Sequence, residues 1–329
     1  MKPKAARDDL IYGPVPSRRL GRSLGVDLVP HKVCSYDCIY CQLGRTTEKT
    51  IDRYPYVSPE VVARQVRQQI DAGVRADYVT LGGSGEPTLN SNIGETIAAL
   101  KADTDLPVAV LTNSSILWNP EVRDALCQAD VVLPSLDAYD GRTFERINRP
   151  HPDIAFGHML EGLIHFRQAF QGKIWLEIFA LAGLNADPVG AESFRELVSR
   201  IEPDRVHVNT AVRPTSESYA RRVKDEDLLR FCRVLGEKAE VVVPFQGARS
   251  PGKRPGTEKD LLSVLARRPC TLHDLTASLN VSEDTLLKYI EPLIDDQTIE
   301  TAVDGTTVYY RMSNPNELPY EKKEGGYQS

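Results

Sequence analysis

Short apolar runs alternate with longer amphipathic segments over the first three quarters of the chain. Six runs, most of them rich in β-branched residues, have the length and composition of buried strands: 24–29, 78–81, 108–111, 131–133, 174–179 and 206–208. The segments between them show helical spacing, for example 59–72, 93–102, 155–170, 191–201 and 226–236. This alternation predicts an α/β fold with a parallel sheet, either an open doubly wound sheet or a closed or partial barrel.

The pattern changes near position 247. Residues 247–256 are rich in Pro, Gly and basic side chains without periodicity, which is typical of a linker. Three short helical patterns follow (257–266, 271–279, 282–294), and then two strand-like runs (298–303, 306–311) joined by Asp304-Gly305, a pair that favours a type I′ hairpin. Thr271 and Ser282 stand where helix N-caps are expected. We therefore predict an α/β domain over 1–246, a linker over 247–256, a small winged helix over 257–312 and a flexible tail over 313–329.

The composition is that of an ordinary globular protein. Of the 329 residues, 41% are hydrophobic and 26% charged, and no apolar run approaches the roughly 20 residues that span a bilayer. The charged N-terminus lacks the apolar segment of a secretory signal, so we expect a cytoplasmic protein that does not enter membranes. The formal net charge of −6 gives no general attraction for nucleic acid, so any polyanion needs a local basic patch.

Three of the six cysteines, Cys34, Cys38 and Cys41, lie within eight residues directly after the first predicted strand. In a reducing compartment this crowding indicates metal ligation rather than disulfides. Iron–sulfur clusters usually take four thiolates, so three leave one iron open to a small chelating ligand. Zinc held by the same cysteines and His31 is the alternative. The C-terminal end of a parallel strand is where active sites form in α/β folds, and this position favours the cluster.

The spacing Cys-x-x-x-Cys-x-aromatic-Cys, with Tyr40 as the aromatic residue, resembles the signature loop of the radical S-adenosylmethionine (SAM) superfamily. The second predicted strand ends in Gly-Gly-Ser-Gly-Glu-Pro over 82–87, which is similar to the family's glycine-glycine-glutamate motif. The resemblance implies a partial (β/α)6 TIM-like barrel in which Cys34, Cys38 and Cys41 hold a 4Fe-4S cluster and SAM binds its open iron. Reduction of the cluster then cleaves SAM to methionine and a 5′-deoxyadenosyl radical, which abstracts a hydrogen atom from the substrate.

The resemblance also implies a set of SAM-binding residues that includes Tyr40. Gly83, Ser84 and Glu86 correspond to the residues that hold the methionyl ammonium, a cation that needs carbonyl and carboxylate acceptors. Asn113, Ser135 and Asp137 follow the third and fourth strands, at positions similar to those that bind the SAM carboxylate or ribose hydroxyls. Capping of the following helices is the alternative role for Asn113 and Ser135, and a turn is the alternative for Asp137.

Further polar residues stand near the same predicted face. Glu177 on the fifth strand and Asn209 at the end of the sixth alternate with apolar neighbours, so we expect them to meet cofactor or substrate. Arg213, just beyond, either binds an anionic substrate group or is solvated. A basic group before the cysteines either contacts phosphate or pairs with carboxylates: Arg18, Arg19, Arg22 and Lys32.

Segments 13–28 and 83–89 look like those of a group of radical SAM proteins allied to the wyosine tRNA synthases. Those tRNA enzymes carry further upstream cysteines for a second cluster, whereas no cysteine precedes Cys34 here. Residues 257–312 contain five basic and ten acidic side chains, and such a surface repels phosphate, so we do not expect DNA binding. Peptide-modifying radical SAM enzymes often use a winged helix to recognise a leader peptide, which offers an analogy.

Two functions follow. The first is a radical SAM enzyme that acts on an unidentified substrate (RNA, peptide or small molecule) and takes electrons from a low-potential donor such as ferredoxin or flavodoxin. The second is an iron–sulfur redox-sensing regulator whose winged helix binds DNA. The glycine-rich motif favours the enzyme, because a regulator needs no SAM pocket.

Overall fold

A computed structural model describes residues 10–242 and 256–313 of the chain. Its strands are β1 (Ile11–Ser17), β2 (Gly21–Val26), β3 (Val33–Cys34), β4 (Glu48–Lys49), β5 (Tyr78–Leu81), β6 (Val108–Thr112), β7 (Val131–Pro134), β8 (Lys173–Ala180), β9 (Arg205–Thr210), β10 (Ala239–Val241), β11 (Ile299–Asp304) and β12 (Thr307–Met312). Its helices are α1 (Pro59–Asp71), α2 (Ile93–Asp103), α3 (Pro120–Leu126), α4 (Gly141–Ile147), α5 (Phe156–Ala169), α6 (Pro188–Ile201), α7 (Asp225–Leu235), α8 (Glu258–Leu265), α9 (Leu272–Leu279) and α10 (Glu283–Asp295). Within the described ranges, no helix is long and apolar enough to cross a membrane.

The central sheet runs in the order β1-β2-β5-β6-β7-β8-β9-β10. The strands from β2 to β10 are parallel to their neighbours, and β1 pairs antiparallel with β2 at one edge. Each parallel strand therefore lies beside the next one along the chain. A doubly wound sheet reverses this order at a switch point, and no reversal occurs here. The topology is a mixed α/β fold with a central parallel sheet, consistent with the partial barrel of radical SAM proteins.

The six predicted strands correspond to β2, β5, β6, β7, β8 and β9. The structure adds β1 and β10 to the central sheet and the short pair β3–β4 outside it, none of which the hydrophobic pattern predicts. β1 contains Pro14 and Pro16, which lack an amide donor, and its register shifts between Tyr12 and Val15. Such a strand is tolerated at the edge of a sheet, where one side needs no partner. β10 has only three residues, too few to show a pattern.

The two faces of the sheet differ in polarity. The face covered by the helices carries the main hydrophobic core, with fully buried residues such as Leu24, Val110 and Phe194. The other face has a smaller apolar cluster around Leu133 and Trp175. Polar side chains lie among this cluster, including Ser23 and Thr80, whose hydroxyls are hydrogen-bonded at 2.7 Å. The uncovered face is therefore the one that offers polar groups to a ligand.

Helices α8, α9 and α10 and the hairpin β11–β12 enclose a separate hydrophobic core. Thr271 and Ser282 cap α9 and α10 as predicted, accepting bonds from the backbone N–H groups of Asp274 and Thr285. Asp304 pairs with Thr307. The two turn residues are therefore Gly305 and Thr306, one residue later than the predicted Asp304-Gly305. Nearly all of the predicted linker 247–256 and tail 313–329 lies outside the described residues.

A buried ion pair joins the C-terminal part to the sheet. Arg267, just after α8, donates from Nε to Oδ2 of Asp27 at 2.7 Å, and both side chains are less than 10% exposed. The Arg267 guanidinium lies 4.3 Å above the ring of Tyr12 on β1 and also bonds the carbonyl of Ser263. Because Asp27 directly follows β2, the C-terminal part contacts the sheet at the ends of its strands.

Replacing Arg267 with Met should lower the free energy of unfolding by about 3–5 kcal/mol, because the Asp27 carboxylate stays buried without its cation. Denaturant unfolding measures this change. Arg230→Met on the exposed face of α7 is the matched control and should change stability by less than about 0.5 kcal/mol. Equal stability of Arg267→Met and the wild type would contradict the importance of this pair.

Candidate functional site

The cysteine loop and the glycine-rich motif are joined by backbone hydrogen bonds. The N–H of Lys32 bonds the carbonyl of Ser84 at 2.7 Å, and the N–H of Glu86 bonds the carbonyl of Val33 at 3.1 Å. A Cβ at Gly85 would lie 2.1 Å from the Val33 carbonyl oxygen, so only glycine allows this approach. The two segments that resemble the family motifs are therefore one structural unit.

Each of the three cysteine sulfurs has a different nitrogen donor beside it. The Lys32 ammonium lies 3.1 Å from the Cys41 sulfur. The side-chain amides of Asn113 and Asn148 lie 3.5 Å from the sulfurs of Cys34 and Cys38 respectively. Hydrogen bonds to sulfur stabilise thiolates and tune the potential of iron–sulfur clusters, so this arrangement suits cluster ligands.

Burial favours the protonated form of two of the loop thiols, so a metal must displace protons when it binds. Burial raises the pKa of the Cys34 thiol to about 11 and that of Cys38 well above its ordinary value. Burial also acts to lower the pKa of Lys32, but the charges of Cys41 and Cys34 outweigh it and raise that pKa overall. A cationic Lys32 beside the loop favours the thiolate forms that a metal requires.

The donor set suits a cluster that is held by three thiolates. Among residues 10–242 and 256–313, no group of three or more His, Cys, Asp or Glu side chains is arranged to hold one metal ion. Tetrahedral zinc needs four donors around one point, whereas in a 4Fe-4S cluster each thiolate binds a different iron atom. Three thiols on one loop, each with its own nitrogen donor, match the second requirement. His31 is buried next to the loop.

Glu86 holds the ends of β5 and β6 together. Its Oε1 accepts bonds from the N–H and hydroxyl of Thr88 and from the hydroxyl of Thr112, and its Oε2 accepts from the N–H of Asn113 at 2.7 Å. The carboxyl is 2% exposed, and burial raises its pKa while these four bonds oppose the rise. Glu86 thereby also positions Asn113, whose amide reaches Cys34.

Ser84 and Gly83 lie against Asp27. Both the N–H and the hydroxyl of Ser84 donate to Asp27 Oδ1 at 2.8 Å. Gly83 has φ of +119°, and a Cβ there would lie 1.9 Å from the same oxygen, so the position requires glycine. The carboxylate that Arg267 pairs with thus also holds the glycine-rich motif in place.

Tyr40 and Asp137 are in direct contact. The Tyr40 hydroxyl donates to Asp137 Oδ2, and its ring stacks on Phe179 with centroids 4.0 Å apart. Asp137 is 4% exposed, burial raises its pKa, and it also accepts bonds from the Asn148 amide and the Phe179 N–H. Asp137 is therefore part of a hydrogen-bonded group that includes the Asn148 amide beside Cys38.

The alternative of helix capping is wrong for two residues. Asn119 caps α3 and Asp140 caps α4, so neither Asn113 nor Ser135 has that role. The Asn113 amide instead bonds the hydroxyl of Ser35 at 2.9 Å as well as approaching Cys34. Asn148 and Asp27 connect these groups to the cysteines and the glycines, and neither residue stands in a motif that would predict this role.

A cavity of about 1300 Å³ opens on the uncovered face of the sheet. Its wall includes five of the predicted site residues: Tyr40, Cys41, Gly83, Ser135 and Asp137. Glu177 and Asn209 also line it, as predicted, and the amide of Asn209 lies 3.3 Å from the Glu177 carboxylate. The cavity exceeds the roughly 300–1,000 Å³ typical of small-molecule sites, so it has room for a cofactor together with a substrate.

The basic group expected before the cysteines is divided by the fold. Arg19 pairs with Glu177 inside the cavity, and Arg22 pairs with Asp77 at the exposed start of β5. Lys32 is buried beside Cys41. Arg19 and Arg22 therefore follow the carboxylate alternative, and Lys32 contacts a cysteine sulfur instead of either predicted partner. Of the four, only Arg18 has no such contact among the described residues.

A known family model covers the part of the chain that contains this site. The profile of the Radical SAM superfamily matches residues 28–191, which include the cysteine loop, the glycine-rich motif and the predicted SAM residues. A UPF0026 protein of Methanocaldococcus jannaschii is 33% identical over 92% of this chain and 96% of its own length. A UPF0026 protein of Helicobacter pylori is 31% identical over 92% of this chain and 97% of its own length.

The chain belongs to the UPF0026 family, and its residues 28–191 match the Radical SAM superfamily profile. A protein of Brachyspira hyodysenteriae named GTPase Obg is 37% identical over 91% of this chain, but the chain spans only 45% of that protein. Among solved structures, a radical SAM methyltransferase of Sphaerobacter thermophilus is 18% identical, with a TM-score of 0.49 over 67% of this chain and 65% of its own. SuiB of Streptococcus suis, solved with S-adenosylmethionine, is 19% identical, with a TM-score of 0.47 over 63% of this chain and 45% of its own.

Replacing Glu86 with Ala should lower the free energy of unfolding by about 2–4 kcal/mol, because the buried N–H groups of Thr88 and Asn113 lose their acceptor. Glu86→Gln keeps one acceptor oxygen and should lose less. Denaturant unfolding of both variants tests this, with Glu196→Ala on the exposed face of α6 as the control. If Glu86→Ala unfolds at the wild-type denaturant concentration, Glu86 does not hold the strand ends together.

Proposed function

We propose that the chain is a radical SAM enzyme that holds a 4Fe-4S cluster through Cys34, Cys38 and Cys41 and cleaves SAM reductively. The observation that supports this most is the hydrogen-bonded junction between the cysteine loop and the glycine-rich motif, which places a SAM-type motif against a three-thiol loop. When bound, the cluster supplies the electron that converts SAM to methionine and a 5′-deoxyadenosyl radical. The substrate is unidentified.

In this proposal some of the described residues contact SAM directly, and others orient the residues that do. Gly83, Ser135, Asp137 and Tyr40 line the cavity and contact the cofactor directly. The carboxylate oxygens of Glu86 and the side chain of Ser84 already have protein partners, so these residues act by orienting the glycine-rich backbone and Asn113. Backbone carbonyls of the motif are the acceptors left for the methionyl ammonium.

The C-terminal part completes the proposal. We propose that α8, α9, α10 and the hairpin form a winged helix that recognises the substrate, because Arg267, Arg268 and Asp274 bring it to the cavity wall. Its excess of acidic residues favours a role other than DNA binding. A peptide, an RNA and a small molecule all remain substrates to test, and kinship with the wyosine synthase group stays a prediction. Free cysteines and a reducible cluster suit a cytoplasmic protein that receives electrons from ferredoxin or flavodoxin.

Anaerobic reconstitution with iron and sulfide tests the cluster. The wild type should bind about four iron atoms per chain, and Cys34→Ala, Cys38→Ala and Cys41→Ala should each lose most of them, because each thiolate binds a different iron atom of the cluster. Cys127→Ala, an exposed cysteine outside the loop, is the matched control and should bind iron normally. Normal iron content in any of the three loop variants would contradict the ligand assignment.

Reduction with dithionite followed by chromatography for 5′-deoxyadenosine tests the activity. The wild type and Cys127→Ala should form it from SAM, and the three loop variants should not. A protein that binds the cluster without binding or cleaving SAM would instead support the redox-sensing regulator. A protein that takes up zinc in place of iron would contradict both.

A further inference from the structure

Three arginines meet at the wall of the cavity, where the C-terminal part contacts the sheet. Arg18 comes from the turn between β1 and β2, Arg213 from the loop after β9, and Arg268 from the segment after α8. All three line the 1300 Å³ cavity that Gly83, Ser135 and Asp137 also line. The group therefore exists only when the sheet and the C-terminal part are in contact.

The carboxylates near this group do not balance its charge. Arg213 pairs with Asp274 at 3.3 Å, while Arg222, further along the wall, is paired with Asp225. Within residues 10–242 and 256–313, neither Arg18 nor Arg268 has a carboxylate within 4.0 Å. Of the three guanidinium groups, Arg213 alone is thus paired with a carboxylate among the described residues, and the other two are without one there.

These positive charges are close enough to affect one another. Burial, together with the charges of Arg213 and Arg268, lowers the pKa of Arg18 to about 10, and the charge of Asp274 opposes this shift. Nη2 of Arg268 is buried and donates to no acceptor among the described residues. Buried guanidinium N–H groups without acceptors cost free energy, and an anion in the cavity removes that cost.

We infer that Arg18, Arg213 and Arg268 bind a phosphate group of the substrate. A phosphate monoester carries a charge of about −1.5 to −2 and can pair with both guanidinium groups that have no carboxylate, whereas a carboxylate ligand carries a charge for only one of them. The planar fork of arginine also suits phosphate oxygens. That this phosphate belongs to the substrate rests on the proposed function, whereas the anion site itself rests on the cavity and its charges.

The inference places the substrate relative to the cofactor. Arg18, Arg213 and Arg268 lie on the wall shared with the C-terminal part, and the predicted SAM residues lie on the wall formed by the strand ends. A phosphate held by the arginines therefore leaves the remainder of the substrate facing the cofactor. The C-terminal part contributes Arg268 and positions Arg213 through Asp274, so it takes part in substrate recognition.

Isothermal titration of the reconstituted full-length protein with inorganic phosphate, and separately with acetate at the same ionic strength, tests the site. Phosphate should bind saturably, and acetate should bind at least about tenfold more weakly. Arg18→Gln and Arg268→Gln should each weaken phosphate binding at least about tenfold, because each removes charge-assisted hydrogen bonds. Arg268→Lys keeps the charge without the fork and should be intermediate. Arg230→Gln, an exposed arginine of α7, is the matched control and should bind as the wild type does.

Wild-type affinity in both glutamine variants, or the absence of saturable phosphate binding, would overturn the inference. Equal affinity for acetate would overturn the choice of phosphate. Thermal melting of Arg18→Gln and Arg268→Gln separates lost binding from lost folding, because a variant that melts at the wild-type temperature is folded. The two residues belong to different parts of the chain, so the variants test the site independently. Phosphate binding is measured without turnover, so the two proposals fail separately. Phosphate binding without 5′-deoxyadenosine formation would contradict only the proposed function. Formation of 5′-deoxyadenosine without phosphate binding would contradict only this inference.

Discussion

The carboxylate of Asp27 is the group on which the arrangement of the site depends. One of its oxygens accepts two bonds from Ser84, and the other accepts the bond from Arg267. A buried carboxylate needs such partners, because desolvation of an unpaired charge costs several kcal/mol. The Asp27 carboxylate therefore holds the glycine-rich motif at the end of β5 through Ser84 and attaches the C-terminal part to the sheet through Arg267. Gly83 directly precedes Ser84, so a ligand that contacts Gly83 lies next to the bonds between Ser84 and Asp27.

The rest of the site follows from how the strand ends are connected. Glu86 positions Asn113 beside Cys34, and Asp137 positions Asn148 beside Cys38. Lys32, which bonds the Ser84 carbonyl through its backbone, places its ammonium beside Cys41. Each residue pair thus links a position at a strand end to one thiol. Changes in the predicted SAM residues should consequently affect the surroundings of the cluster as well as cofactor binding.

The sequence predicts the regular parts of this fold because they depend on local patterns. Six β-branched runs become parallel strands, and Thr271 and Ser282 cap helices through bonds within four residues. The cysteine spacing and the glycine-rich motif are equally local. The sequence does not reveal Asn148 or the Asp27–Arg267 pair, whose partners are separated by 110 and 240 residues. The proline-containing edge strand β1 also has no hydrophobic signature, yet it precedes the turn that carries Arg18.

The proposed chemistry requires that three thiolates leave one iron atom open to SAM. Electron paramagnetic resonance of the reduced, reconstituted protein, recorded before and after addition of SAM, tests this claim directly. We expect a reduced-cluster signal whose g-values shift when SAM is added, because the cofactor becomes a ligand of the cluster. A reduced-cluster signal that SAM leaves unchanged would contradict the open iron and, with it, the assignment of this site to SAM chemistry.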